Sequence, residues 1–137
     1  MIQDEDEFWS IVDLAIREAK YPHRYTIDVM SEQTPDGNVY QADTSFSLNK
    51  SRPLPHAPTT PILYFQLHTA SREICNAEIE LAGLAGQGYE KTMLQIADVV
   101  ARELNIRSIT VTKTDIPLNH LEAAGYRDFC KSYATRD

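Results

Sequence analysis

Gly86 and Gly88 bracket a single glutamine just before an apolar helical stripe that opens at Tyr89. Glycine lets backbone approach a ligand closely, and a helix start offers unpaired N–H groups at its positive end. Gly86, Gln87 and Gly88 in that setting predict a cradle for a pyrophosphate-like anion; the alternative is a tight turn into a helix. Upstream, Glu78 and Glu80 stand two apart in an extended stretch, so both carboxylates share one strand face. Such a pair can take a proton from an amine through water, or it is simply a solvated strand face. His68 and His120 are further candidate proton acceptors, being of the residue type best suited to that role. Cys130 has no adjacent base and reads as a packed thiol. No metal site is expected, because the histidines at 23, 56, 68 and 120 and the cysteines at 75 and 130 form none of the short ligand pairs of zinc. The acids from Asp4 to Glu7 lack the glycine and register of a calcium loop, and no G-x-S-x-G nucleophile motif occurs.

The elements that must position these groups follow from periodicity. Phe8, Trp9, Ile11, Val12, Ala15, Ile16 and Ala19 recur at helical spacing behind acids suited to a helix N-terminus, and Tyr21-Pro22 ends the run. Tyr25, Ile27 and Val29 alternate with Thr26, Asp28 and Met30, a strand pattern; Thr34-Pro35-Asp36-Gly37 is turn chemistry, and 39–48 reads as the returning strand. Pro53, Pro55, Pro58 and Pro61 exclude helix and central strand, leaving a stiff surface connection or, by the spacing of three from Pro55 through Pro58 to Pro61, a polyproline II ligand. Strands are expected at 62–67 and 74–81 around a turn at Ser71-Arg72, and a long helix at 89–104 carries Met93, Ile96, Ala97 and Val100 on one stripe. A β-branched strand at 108–113, a short helix at 118–124 stopped by Gly125, and a last strand within 126–133 complete the order. This order describes one α/β (α+β) domain over 1–137, with a mixed, mostly antiparallel sheet flanked by helices.

Composition bounds the partners. The chain has 137 residues, 42% of them apolar and 24% charged, which suits a folded domain with a real core. No stretch reaches the roughly 18 to 20 apolar residues of a membrane span, the first residues are acidic unlike a signal peptide, and the cytoplasm is the expected compartment. The formal charge of −7 repels nucleic acid, whose phosphates would need a basic patch, and suits an amine or a basic protein partner.

The strand–loop–helix segment 80–90 resembles the acyl-CoA loop of the GNAT superfamily of N-acetyltransferases, with Gly88 at the central glycine of its Q/R-x-x-G-x-G/A pattern. The helix, strand, helix order after it, and Ala124-Gly125-Tyr126 where the family often has Leu-Gly-Phe, extend the likeness over roughly 62–130. The resemblance implies a GNAT-like fold and acetyl-CoA as cofactor, with Gly86, Gln87, Gly88 and Tyr89 at the pyrophosphate. It implies backbone donors near Ile79 and Leu81 on a strand that splays from its parallel neighbour to admit the pantetheine, with Glu78 and Glu80 as bases toward an amine. It also implies homodimers, for which the edge of the N-terminal hairpin is available. The chain departs from the pattern at Ala85, where Arg or Gln is usual; at Glu90, a carboxylate facing the phosphates; and at Leu121, where many members carry the Tyr that protonates the leaving thiolate. Two functions are therefore expected: a divergent acyltransferase, or a non-catalytic acidic module that binds a basic protein, as small inhibitors and immunity proteins do.

Overall fold

The computed structural model describes residues 2–48 and 60–134. Pro55 and Pro58, two of the three prolines that carry the polyproline reading, lie outside the described residues. Helix α1 spans Glu5–Glu18; its N-cap Asp4 accepts the Glu7 N–H at 2.8 Å, and three acids occupy its first turn, where the helix dipole favours them. Strands β1 (Tyr25–Thr34) and β2 (Gly37–Phe46) form the expected hairpin, and β3 (Ile62–His68) and β4 (Glu73–Glu80) continue the meander. Helix α2 (Tyr89–Glu103), β5 (Ser108–Thr114), helix α3 (Leu118–Ala123) and β6 (Cys130–Ser132) complete the chain. The six strands lie in sequence order; only β4 and β5 pair in parallel, through the crossover helix α2. The expected mixed, mostly antiparallel sheet is thus present as a single α+β domain.

The sheet has two unlike faces. Register sets Tyr40, Ala42 and Thr44 of β2 opposite Leu67, Phe65 and Leu63 of β3, and Leu63 and Leu67 opposite Ile79 and Ile74 of β4. All of these are buried beneath α1 and α2, which pack against each other. Phe8 of α1 is the keystone, wholly buried with its ring 5.4 Å from that of Tyr40 and edge-on to Phe65 at 5.8 Å. Helix α2 contributes Met93, Ile96, Ala97 and Val100, as its stripe predicts. Residues on the other face of β1 to β4 are all at least partly exposed. Antiparallel strands tolerate that arrangement, because one covered face suffices to anchor them.

Three local findings refine the reading. Trp9 does not join the apolar stripe of α1; it is 41% exposed, and its indole N–H donates to the Ile27 carbonyl of the edge strand β1 at 3.1 Å. The last strand is only three residues, because Asp128 and Phe129 both take positive φ and fold 127–130 into a tight reversal closed by two Arg127–Cys130 hydrogen bonds. Tyr21, expected only to end α1, donates to the Ser47 carbonyl and packs its ring 4.9 Å from that of Phe46; burial pushes its hydroxyl up to about 12. The short β6 is tied to α2 by Lys131, whose ammonium meets the Asp98 carboxylate at 2.8 Å and lies over the Tyr133 ring.

Candidate functional site

The candidate cradle lies between the end of β4 and the start of α2. Leu84 N–H donates to the Leu81 carbonyl at 3.0 Å, a turn that needs the positive φ of Ala82 and Gly83. Gln87 N–H donates to the Leu84 carbonyl at 3.3 Å, with Gly86 at φ 85° inside that second turn. Gly88 follows at φ 92° as the N-cap of α2, with no side-chain cap. A Cβ built at Gly86 or Gly88 meets nothing within 4 Å. Glycine is therefore required at these positions by backbone sign, not by close approach of another group.

One amide of the loop already holds an anion. Gly86 N–H donates to the Glu90 carboxylate at 3.2 Å, and Glu90 is 6% exposed although it sits in the first turn of a surface helix. The carboxylate lies where the positive end of α2 favours negative charge, which offsets part of the cost of burying it. Like charge then disfavours a phosphate in the same place. Ala85, Gly86, Gln87 and Gly88 are exposed, and Tyr89 is half-buried with its ring 6.4 Å from that of Tyr21.

The end of β4 differs from the expected splay. β5 accompanies β4 through Glu78↔Lys113 to Ile79↔Thr114, and the register shifts occur earlier, between Ile74 and Glu78. The Thr114 hydroxyl donates to the Ile79 carbonyl at 2.6 Å, and the Thr112 hydroxyl to the Ala77 carbonyl at 3.4 Å. Leu81 N–H donates to Asp115 Oδ1 at 2.8 Å, so this expected donor is committed within the chain. The side chains of Ile79 and Leu81 are wholly buried. The β-branched hydroxyls of β5 thus stitch together the gap a pantetheine arm would enter.

Glu78 and Glu80 do share one face, the helix-free one. Glu78 lies across from Tyr64, and Glu80 binds the Lys113 ammonium at 2.8 Å; that hydrogen bond and charge hold Lys113 above the usual lysine range. The two carboxylates are therefore on the sheet face, while Gly86, Gln87 and Gly88 are in the loop beyond its end. Leu121 is wholly buried in the core. His120 is exposed on the rim of a 650 Å³ hollow between α2 and α3, beside Leu94, Asp98 and Glu90. The buried Nε2 of His68 has no hydrogen-bond partner among the described residues. The thiol of Cys130 accepts weakly from the Thr110 hydroxyl at 3.8 Å. Among the described residues, no three His, Cys, Asp or Glu side chains gather as a metal-ligand set, and no helix is long and apolar enough to cross a membrane. Asp115, the clamp on Leu81, escaped the sequence reading because the pair is 34 residues apart and no local pattern marks it.

No protein-family model, no curated protein and no solved structure matches this chain. A loop amide satisfied by a neighbouring carboxylate, a committed Leu81 N–H and stitched strands offer a ligand few free donors. Among the described residues, Asp28 and Asp43 on the helix-free face are exposed carboxylates without an ion-pair partner.

Proposed function

We propose that the chain is a non-catalytic binding module on a GNAT-like plan, taking a basic protein partner in place of an acyl-CoA. The hydrogen bond from Gly86 N–H to the buried Glu90 carboxylate carries this reading. An acyl-CoA pyrophosphate at that loop would have to displace a carboxylate the helix dipole already stabilises. The Asp115 clamp and the paired β4–β5 ends oppose the same ligand further along its path. The formal charge of −7 suits a basic partner, since opposite fields speed encounter and suppress wrong partners. A second copy adding a strand at β1 would have to pull the Trp9 indole off the Ile27 carbonyl, so the partner we favour is a different protein.

The acyltransferase reading keeps two observations in its favour. The β4–loop–α2–β5 order with a parallel strand pair is the arrangement the resemblance implies, and the hollow between α2 and α3 opens beside Glu90. Thermal unfolding with CoA or acetyl-CoA separates the two. A ligand at 100 times its Kd adds about 2.7 kcal/mol of stability, a plain rise in Tm. The expected result is no change in Tm at millimolar CoA. A clear rise would return acyl-CoA binding to first place.

A further inference from the structure

We infer that the helix-free face of the sheet is the docking surface for that partner, and that it takes an extended, lysine- and arginine-rich polypeptide segment. The inference rests on the binding-module reading above and names its surface and ligand. Strand register builds the face in rows across the sheet. Asp28 of β1 stands opposite Asp43 of β2, Asp43 opposite Tyr64 of β3, Tyr64 opposite Glu78 of β4, and Glu78 opposite Lys113 of β5. Glu80 stands beside this row and opposite Ile62.

Asp28 and Asp43 are directly apposed carboxylates, both exposed. Like charges in that position destabilise a sheet, so this pair contributes nothing favourable to the fold that contains it. Among the described residues neither makes an ion pair, and the one ammonium in the row, Lys113, is committed to Glu80. The negative field of the face is thus left for a ligand of opposite sign to neutralise.

Between the carboxylates sits an aromatic platform. The Tyr64 hydroxyl donates to Gln41 at 3.0 Å and accepts from Gln66 at 2.9 Å, which in turn accepts from Asn76 at 2.9 Å. A half-buried tyrosine ring fixed in this way gives a cationic side chain a face to lie on. Neighbouring strands are about 4.8 Å apart, so the row from Asp28 to Glu78 spans roughly 14 Å. An extended peptide rises about 3.3 Å per residue with alternate side chains on one side. Basic side chains four residues apart therefore reach from the Asp28–Asp43 pair to Glu78, with the one between them over Tyr64.

The test uses an oligolysine peptide titrated into the full chain at moderate ionic strength, with two variants of equal charge. One carries Asp28→Asn, Asp43→Asn and Glu78→Gln; the other carries Asp6→Asn, Asp36→Asn and Glu122→Gln at exposed sites off this face. Loss of the three carboxylates along the row predicts about a fivefold weakening for the first variant and little for the second. Far-ultraviolet circular dichroism and melting confirm that both fold; relief of the Asp28–Asp43 repulsion leaves the first at least as stable as the parent. Equal weakening in the two variants overturns the face while sparing the binding-module reading. Failure of the parent to bind oligolysine removes the basic-peptide proposal, and a Tm rise with CoA in the separate experiment is what removes the reading beneath it.

Discussion

Replacing Phe8 with alanine lowers the unfolding free energy by about 3–5 kcal/mol, the cost of deleting a fully buried aromatic side chain. The size follows from position. Phe8 is 0% exposed and is the contact through which α1 meets both β2 and β3, by way of Tyr40 and Phe65. Those rings are themselves 2% and 3% exposed, so neither is free to swing into the void. The cavity persists, and its surface adds to the lost transfer energy. Urea unfolding monitored by Trp9 fluorescence measures the change. A loss below about 1 kcal/mol, in the range of an ordinary surface substitution, would mean that α1 does not pack on the sheet as described.

Replacing Asp115 with alanine is the second large effect, about 1–3 kcal/mol, because it removes the charged acceptor of the Leu81 amide. Leu81 is wholly buried and its N–H has the Asp115 carboxylate as its partner at 2.8 Å. The bond is half-buried and Asp115 is exposed, so the loss is the worth of a hydrogen bond to a charged group and not the full desolvation of the amide. Asp115→Asn keeps an acceptor oxygen in the same place and restores most of the loss, which separates the bond from the side chain's bulk. Hydrogen exchange localises the effect: the Leu81 amide exchanges faster in the alanine variant, with Ile79 and Thr114 following as the strand ends loosen. Unchanged exchange at Leu81 would show that Asp115 is not its acceptor.

Much of the architecture is legible in the residues, for identifiable reasons. Thr34-Pro35-Asp36-Gly37 supplies turn chemistry at the tip of β1–β2, and period-two burial on β3 and β4 sets their facing. The stripe from Met93 to Val100 needs only helical spacing to be found. The errors fall where long-range partners override local pattern. Trp9 obeys the apolar period of α1 yet turns outward, because a β1 carbonyl claims its N–H. The strand expected within 126–133 shrinks to Cys130–Ser132 because Asp128 and Phe129 take left-handed backbone, which aspartate tolerates but phenylalanine disfavours.

The candidate site was legible in part. Glu78 and Glu80 share a face as their spacing dictates, and the 81–88 loop has its glycines at positive φ. Where Glu90 directs its carboxylate could not be read from spacing alone, since a first-turn glutamate can equally face water. The Asp28–Asp43 apposition is likewise invisible until the hairpin register is known, because the two residues are separated by a turn whose length sets the pairing.

The central claim is that the loop's own chain supplies the anion for its amide. The most direct measurement is the amide resonance of Gly86 in a 15N-labelled sample of the whole chain. The account predicts that Glu90→Gln moves this resonance more than any amide outside the loop and the first turn of α2, and that millimolar CoA leaves it in place. A Gly86 resonance indifferent to Glu90→Gln and displaced by CoA would contradict the account.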